Sequence, residues 1–227
     1  IVTSSIGNQE LKIENILIGD VWIASGQSNM ANKMNFAHDV EFYRNTATNR
    51  LLRFFTTVPN PEEMPQETLF NPTGKAVRWL ENAKNTCGAC SAVGYTFARK
   101  ILSEVETPIG IVMLSKGGTG IECWLKKEAL ESDPEFQKML EWEGYKKPTR
   151  MPSVYYNSMM YPVRNFPVKG VLWYQGESNS ETEERARLYP KLFAEFVKQW
   201  RGWQRNEALP FYCVQIASYR GPSAVAQ

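Results

Sequence analysis

Five short hydrophobic runs, each bounded by turn-forming residues, dominate the pattern of polar and apolar positions along the chain. The runs are near-continuous rather than alternating, which is typical of strands buried on both faces, as in a parallel sheet. They occupy residues 21–25, 51–56, 109–115, 169–175 and 211–217. The pattern therefore predicts five parallel strands.

Helical periodicity lies between these runs. Apolar residues over 93–105 recur at the spacing of one helix face, and Ser91 precedes them as a candidate N-cap. The same periodicity covers residues 188–200, before the last predicted strand. Strands that alternate with helices predict an α/β fold with right-handed crossovers. The stretches 58–74, with four prolines, and 146–152 are predicted to be loops.

Length and composition add few constraints. The 227 residues predict one domain, residues 1–227, which we expect to be incomplete at one or both ends. A charged fraction of 22% and a net charge of +2 do not favour a nucleic-acid partner. No run approaches the ~18 apolar residues of a membrane span. Nothing in the sequence indicates an oligomeric state.

Histidine and cysteine limit the metal chemistry. The single histidine, His38, excludes a zinc site built on several histidines. Cys87 and Cys90 form a C-x-x-C pair without the second close pair of a zinc ribbon, and Cys123 and Cys213 stand alone. We interpret these cysteines as small buried core residues, leaving a redox or metal role and two disulfides as alternatives. We expect no metal and no organic cofactor.

Three predicted strand ends combine glycine with small polar side chains. They are residues 26–30 (GQSNM), 117–119 (GGT) and 175–179 (QGESN). Ligands of open α/β sheets bind beyond the carboxyl ends of the strands, so these segments are the candidate site.

Each segment supports two interpretations. Ser28 follows a strand and a glycine, so it is a candidate nucleophile at a helix N-terminus, or else a helix cap. Gly117 and Gly118 could present a backbone N–H to an oxyanion, or form a tight turn. Gln175 could donate to the oxyanion through its amide, or only form hydrogen bonds within a loop. Glu177 could orient its neighbours or begin a helix.

These segments resemble a known family. Residues 19–30, with GDVW and SGQSNM, resemble the first block of the sialate O-acetylesterase (SASA) branch of the SGNH/GDSL hydrolases. Residues 169–179, KGVLWYQGESN, resemble its later block, and residues 117–124 resemble its middle block. With weaker similarities between them, the resemblance extends from about residue 16 to residue 219.

The resemblance implies a flavodoxin-like, three-layer α/β/α fold and a serine esterase that removes acetyl groups from sugars. Ser28 would be the nucleophile, with its own N–H in the oxyanion hole. Gly118, or its neighbour Gly117, would be the second donor and Gln175 the third. The side chains expected to contact the substrate are Gln27, Asn29, Trp124 and Glu177.

The sequence departs from the family in one respect. The family's base and orienting acid lie in an Asp-x-x-His after the fifth strand, and this sequence contains no such motif. We therefore expect the catalytic histidine to lie outside this sequence, with His38, next to Asp39, as the alternative base.

Aromatic and basic residues give candidates for sugar binding. Trp22 and Trp173 are predicted to be core residues, whereas Trp124 is predicted to line the pocket. An acidic sugar such as sialic acid carries a carboxylate that an arginine could pair with. The candidate arginines are Arg53, Arg78 and Arg164.

The favoured function is removal of acetyl groups from O-acetylated sialic acid. Acetylated xylan or another plant glycan is the alternative substrate. An inactive glycan-binding module is the alternative of another class. The family resemblance further implies a secreted or periplasmic protein.

Overall fold

The computed structural model describes residues 2–6 and 9–218, with side chains from Lys12 onward. Within this range, six strands form one twisted sheet with the order β5-β4-β6-β3-β7-β8. A separate antiparallel pair, β1 and β2, precedes it. The strands are β1 Val2–Ile6, β2 Gln9–Ile13, β3 Asp20–Gly26, β4 Leu52–Thr56, β5 Arg78–Glu81, β6 Ile109–Ser115, β7 Gly170–Tyr174 and β8 Phe211–Cys213.

The prediction of five parallel strands is confirmed, since β4, β6, β3, β7 and β8 pair in parallel. The sequence pattern missed β5, an edge strand antiparallel to β4. The last predicted strand is too long, because pairing ends near Cys213. The N–H of Val214 donates to the carbonyl of Trp173 (2.9 Å), and the chain then leaves the sheet.

Both predicted helices are present. Ser91 caps the first through a bond from the N–H of Gly94 (3.3 Å), and Thr182 caps the second. Neither predicted loop contains a strand or an α-helix, although residues 148–150 form a 3₁₀ turn. The helices are α1 Ser28–Ala31, α2 Val40–Asn45, α3 Ala92–Leu102, α4 Lys127–Glu131, α5 Pro134–Met139 and α6 Glu183–Gln204.

The core has two halves, one on each face of the sheet, as a three-layer α/β/α fold requires. On one face α6 packs against the sheet, with Phe196 and Trp173 ring centroids 4.3 Å apart. On the other face α3 covers a cluster that includes Trp22. Both tryptophans are buried, which confirms their core assignment. No helix in the described part of the chain is long and apolar enough to cross a membrane.

Candidate active site

Ser28 stands at a sharp turn after the central strand β3. Gly26 has a φ of +142°, and a side chain there would collide with the carbonyl of Tyr174 on β7, so only glycine fits. The N–H of Gln27 donates to that same carbonyl (3.0 Å). The chain then enters the four-residue helix α1 with Ser28 and Asn29 exposed and Met30 buried. The turn therefore presents the Ser28 hydroxyl at the carboxyl edge of the sheet.

The Gly117–Gly118 turn lies beside this serine. The N–H of Lys116 donates to the carbonyl of Gly26 (3.1 Å), which fixes the turn to the end of β3. A Cβ atom added to Gly117 would lie 3.4 Å from the Cβ of Ser28. Gly118 has a φ of +74°, a left-handed conformation that favours glycine. The structure thus brings together the segment predicted to carry the nucleophile and the segment predicted to carry an oxyanion donor.

Gln175 occupies a different role from the one expected. Its amide nitrogen faces three protein acceptors: the side-chain oxygens of Asn179 (2.7 Å) and Gln27 (3.0 Å), and the carbonyl of Thr119 (3.2 Å). An amide nitrogen has only two hydrogens, so none is left for an oxyanion in this arrangement. The side chain is 4% exposed, and the expected third-donor role is therefore corrected to one of support.

Gln27 also has a supporting role, through its side-chain oxygen. It is buried, and its side-chain oxygen accepts the N–H groups of Ser178 (3.2 Å) and Gly176 (3.4 Å). This bonding ties the nucleophile loop to the loop after β7. Among the described residues only the side-chain oxygen of Gln27 has protein partners, so contact of its amide nitrogen with substrate stays a prediction.

Asn29 and Glu177 form a pair next to Ser28. The Asn29 amide donates to one oxygen of Glu177, while the other carboxylate oxygen is buried and has no partner among the described residues. Glu177 begins the 3₁₀ helix Glu177–Asn179 and also accepts from Asn29, so it can both begin a helix and orient its neighbour. Both residues stay candidates for substrate contact, since Asn29 is exposed and Glu177 is half-buried.

The comparisons with known proteins identify the family. A family model described as "Carbohydrate esterase, sialic acid-specific acetylesterase" matches residues 18–227. The chain belongs to this family. Sialate O-acetylesterase of Homo sapiens is 30% identical over 225 residues, covering 93% of this chain and 42% of that protein. A probable carbohydrate esterase of Arabidopsis thaliana is 25% identical over 213 residues, covering 88% and 70%.

A solved structure of the same kind supports the fold. A carbohydrate acetylesterase from Xanthomonas citri matches with a TM-score of 0.80 at 34% identity, covering 92% of this chain and 44% of that chain. The resemblance to the sialate O-acetylesterase family and the α/β fold it implied are both confirmed. The chain spans less than half the length of the human and Xanthomonas proteins that it matches.

Trp124 is the clearest error among the residues expected from the family. Its side chain is 0% exposed, and its indole N–H donates to the Thr119 hydroxyl (3.1 Å). Its ring stacks on Tyr155, with centroids 5.2 Å apart. Trp124 is therefore a core residue below the Gly117–Gly118 turn, and it offers no face to a sugar.

None of the three arginines proposed for an acidic sugar lies near Ser28. Arg53 pairs with Glu81 (3.2 Å) on β4 and β5, at the far edge of the sheet, where Arg78 also lies. Arg164 pairs with Glu67 (3.1 Å) and stacks on a tyrosine ring. Arg53 and Arg164 therefore form ion pairs within the fold, and Arg78 lies on the edge strand β5.

Arg150 is the arginine that the sequence analysis missed. Its Nη2 lies 4.0 Å from the position of a Cβ atom on Gly118, and its side chain is 33% exposed. Nη1 is 3.5 Å from a carboxylate oxygen of Glu181. Arg150 belongs to a predicted loop far from the family-like blocks in sequence, so nothing local distinguished it from other loop arginines.

His38 does not reach the nucleophile. Its ring is 97% exposed, and its Nδ1 lies 3.0 Å from a carboxylate oxygen of the neighbouring Asp39. Within the described residues no hydrogen bond joins it to Ser28. The alternative that His38 is the base is therefore wrong for this structure, because a base must lie within hydrogen-bond reach of the serine.

Three of the four cysteines lie in the core. Cys87, Cys90 and Cys123 are fully buried, whereas Cys213 on β8 is exposed. Burial raises the pKa of the three core thiols above the ordinary value. No group of three metal-ligating His, Cys, Asp or Glu residues occurs in the described ranges. The burial supports the interpretation of these cysteines as core residues.

We expect iodoacetamide to label Cys213 alone among these four cysteines in the native full-length protein. Burial raises the pKa of all four thiols, so accessibility decides: the three core thiols are buried, whereas Cys213 is exposed. Peptide mass spectrometry before and after denaturation measures the labelling, with Cys213→Ser as the control. Native labelling of Cys87 or Cys90 would contradict this result and favour the redox or metal alternative.

Proposed function

We propose that this chain carries the catalytic domain of a serine carbohydrate O-acetylesterase. The observation that supports the proposal is the exposed Ser28 hydroxyl beside the Gly117–Gly118 turn, at the carboxyl edge of a parallel sheet. This edge is where open α/β folds bind their ligands. Family membership supplies the reaction class, and the geometry supplies the atoms that would perform it.

The proposed reaction has two halves. The Ser28 oxygen attacks the acetyl carbonyl, and the resulting oxyanion accepts N–H groups from Ser28 and Gly118, which no protein acceptor occupies among the described residues. The C–O bond to the sugar then breaks, so the sugar leaves as its alcohol with a proton. Water hydrolyses the acetyl–Ser28 ester and releases acetate.

A base must accept the proton of Ser28 in the first half and return it to the sugar oxygen. The exposed position of His38 excludes it from this role in the structure. We propose that the base is the histidine of the Asp-x-x-His that the family resemblance implies, which is not among the described residues.

We further propose that the sugar is acidic, with O-acetylated sialic acid as the favoured substrate. Arg150 supports this choice, because a guanidinium beside Gly118 can pair with a carboxylate in two parallel hydrogen bonds. A neutral acetylated xylose unit offers no such partner. The family description points to the same substrate class.

Arg150→Gln should raise KM for O-acetylated sialic acid by about 10- to 100-fold, because the substitution removes a charge-assisted hydrogen bond. Hydrolysis of p-nitrophenyl acetate should change little, since that ester has no carboxylate. Arg164→Gln serves as the matched control, because Arg164 pairs with Glu67 and has no hydrogen bond or ion pair with residues 26–30 or 117–119. Equal effects of Arg150→Gln on both esters would contradict a role in carboxylate binding.

Acetate release by the full-length protein separates the competing functions. Faster release from O-acetylated sialic acid than from acetylated xylan supports the proposal, and the reverse order favours the plant-glycan alternative. Binding of acetylated glycan without any acetate release would favour the inactive binding module.

A further inference from the structure

A buried ion pair lies below the candidate site and has no part in the proposed chemistry. Glu122, in the 3₁₀ turn Ile121–Trp124 after β6, is 0% exposed, and Arg185, in the first turn of α6, is 4% exposed. Nη2 of Arg185 lies 2.5 Å from a carboxylate oxygen of Glu122. Apolar residues of similar volume often stabilise a fold as well as a buried pair does, so stability alone is a weak reason for these charges.

The surroundings of Arg185 hold its positive charge beside Glu122. Its Nη1 donates to the carbonyl of Ser178 (2.5 Å) and to Glu181 (3.3 Å), and its guanidinium lies 4.0 Å from the ring centroid of Trp142. Burial by itself would lower the pKa of Arg185, but Glu122, Tyr145 and Glu181 together outweigh burial and raise the pKa. Glu122 therefore faces a permanent positive charge.

A chain of hydrogen bonds connects this pair to the nucleophile loop. The second oxygen of Glu122 accepts the Asn179 amide (2.8 Å), which orients that amide. The Asn179 oxygen then accepts the Gln175 amide (2.7 Å) and the N–H of Ile121 (2.9 Å). Gln175 in turn donates to Gln27 (3.0 Å), the residue before Ser28. Each amide in the chain has its orientation set by the previous one.

The same carboxylate also lies against the turn that bears Gly118. A Cβ atom on Gly120 would collide with the Glu122 carboxylate group, so the acid folds back beneath the turn in space that glycine leaves free. The carbonyl of Thr119 lies 3.2 Å from the Gln175 amide nitrogen, which shares its two hydrogens among this carbonyl, Asn179 and Gln27, so the turn lies against the chain of amides. The pair thus contacts the supports of both proposed oxyanion donors.

We propose that Glu122 and Arg185 are positioning residues that hold the N–H of Gly118 and the Ser28 loop in their catalytic alignment. The inference rests on the proposed function. Neither residue touches the substrate, because both are buried. Preorganised donors lose catalytic effect when their alignment relaxes, even where binding is retained. The pair should therefore affect kcat more than KM.

Glu122→Gln tests the inference, because it keeps the size of the side chain and removes its charge. For p-nitrophenyl acetate hydrolysis by the full-length protein, we expect kcat to fall by about 10- to 100-fold, with KM within about twofold of wild type. Arg185→Lys keeps the charge but loses the planar guanidinium, so its kcat should lie between those of wild type and Glu122→Gln. Glu81→Gln, in the remote pair with Arg53, is the matched control and should leave kcat unchanged.

Hydrogen exchange gives a second readout that does not depend on activity. Glu122→Gln should speed exchange in peptides that cover 26–30 and 117–121, and Glu81→Gln should not. A folded Glu122→Gln protein with wild-type kcat and wild-type exchange in both peptides would overturn the inference. If that variant does not fold, Asn179→Ala cuts the same chain of bonds while leaving the ion pair, and the same two criteria apply.

The two proposals can fail separately. Equal activity of wild type and Ser28→Ala would remove the proposed serine mechanism. In that case the exchange rates alone decide whether the pair orders the two loops, and unchanged rates would overturn the positioning role.

Discussion

Replacing Ser28 by alanine should lower kcat for acetyl-ester hydrolysis by about 10³- to 10⁶-fold, the range found when a serine nucleophile is removed. The hydroxyl of Ser28 would form the bond to the acetyl carbon. Of the other hydroxyl side chains in the adjoining loops, Thr119 and Ser178 are buried and Ser180 donates to the carbonyl of Glu177 (3.0 Å). Asn29 is already bonded to Glu177, and the glycines beside Ser28 have no side chain. The rate of acetate release by the full-length protein measures the effect.

Ser25→Ala is the control for this substitution. Ser25 lies on β3, three residues before Ser28, and its hydroxyl is buried without a hydrogen-bond partner among the described residues. Removing an unpartnered buried hydroxyl is close to neutral for stability, so activity should persist. A Ser28→Ala protein that retains more than about a tenth of wild-type kcat would contradict a nucleophilic role, since true nucleophiles show far larger losses.

Replacing Arg185 by methionine should lower the free energy of unfolding by about 3–5 kcal/mol, the usual cost of breaking a buried ion pair by removing one partner. The substitution keeps an unbranched side chain of similar length, but it leaves the fully buried Glu122 carboxylate without its cation. It also removes the donor to the Ser178 carbonyl. Urea unfolding followed by tryptophan fluorescence measures the change.

Arg187→Met is the matched control, because Arg187 lies two residues further along α6. Its side chain is 77% exposed, and its partner Glu183 is 61% exposed. Exposed pairs contribute about 0–1 kcal/mol, so this variant should unfold close to wild type. Similar losses for the two variants would show that burial of the Glu122–Arg185 pair is not what makes Arg185 important.

Local patterns accounted for most of the regular structure. Continuous apolar runs located the five parallel strands, and one-face periodicity located α3 and α6, because both signals depend on near neighbours in the chain. The same reasoning missed β5, whose central residue Trp79 is 41% exposed. It also extended β8 too far, since hydrophobicity continues after Cys213 although the pairing with β7 stops.

The sequence by itself determined that Ser28 and the Gly117–Gly118 turn belong to one site, because parallel strands bring their carboxyl ends to one edge. Only the tertiary structure decided the direction of each side chain at that edge. In the folded chain the side chains of Gln175, Gln27 and Trp124 are buried. It also brought Arg150 beside Gly118 and joined Glu122 to Arg185, which are 63 positions apart. Spacing in a sequence fixes which strand end a residue follows, but its hydrogen-bond partners and its exposure depend on long-range packing.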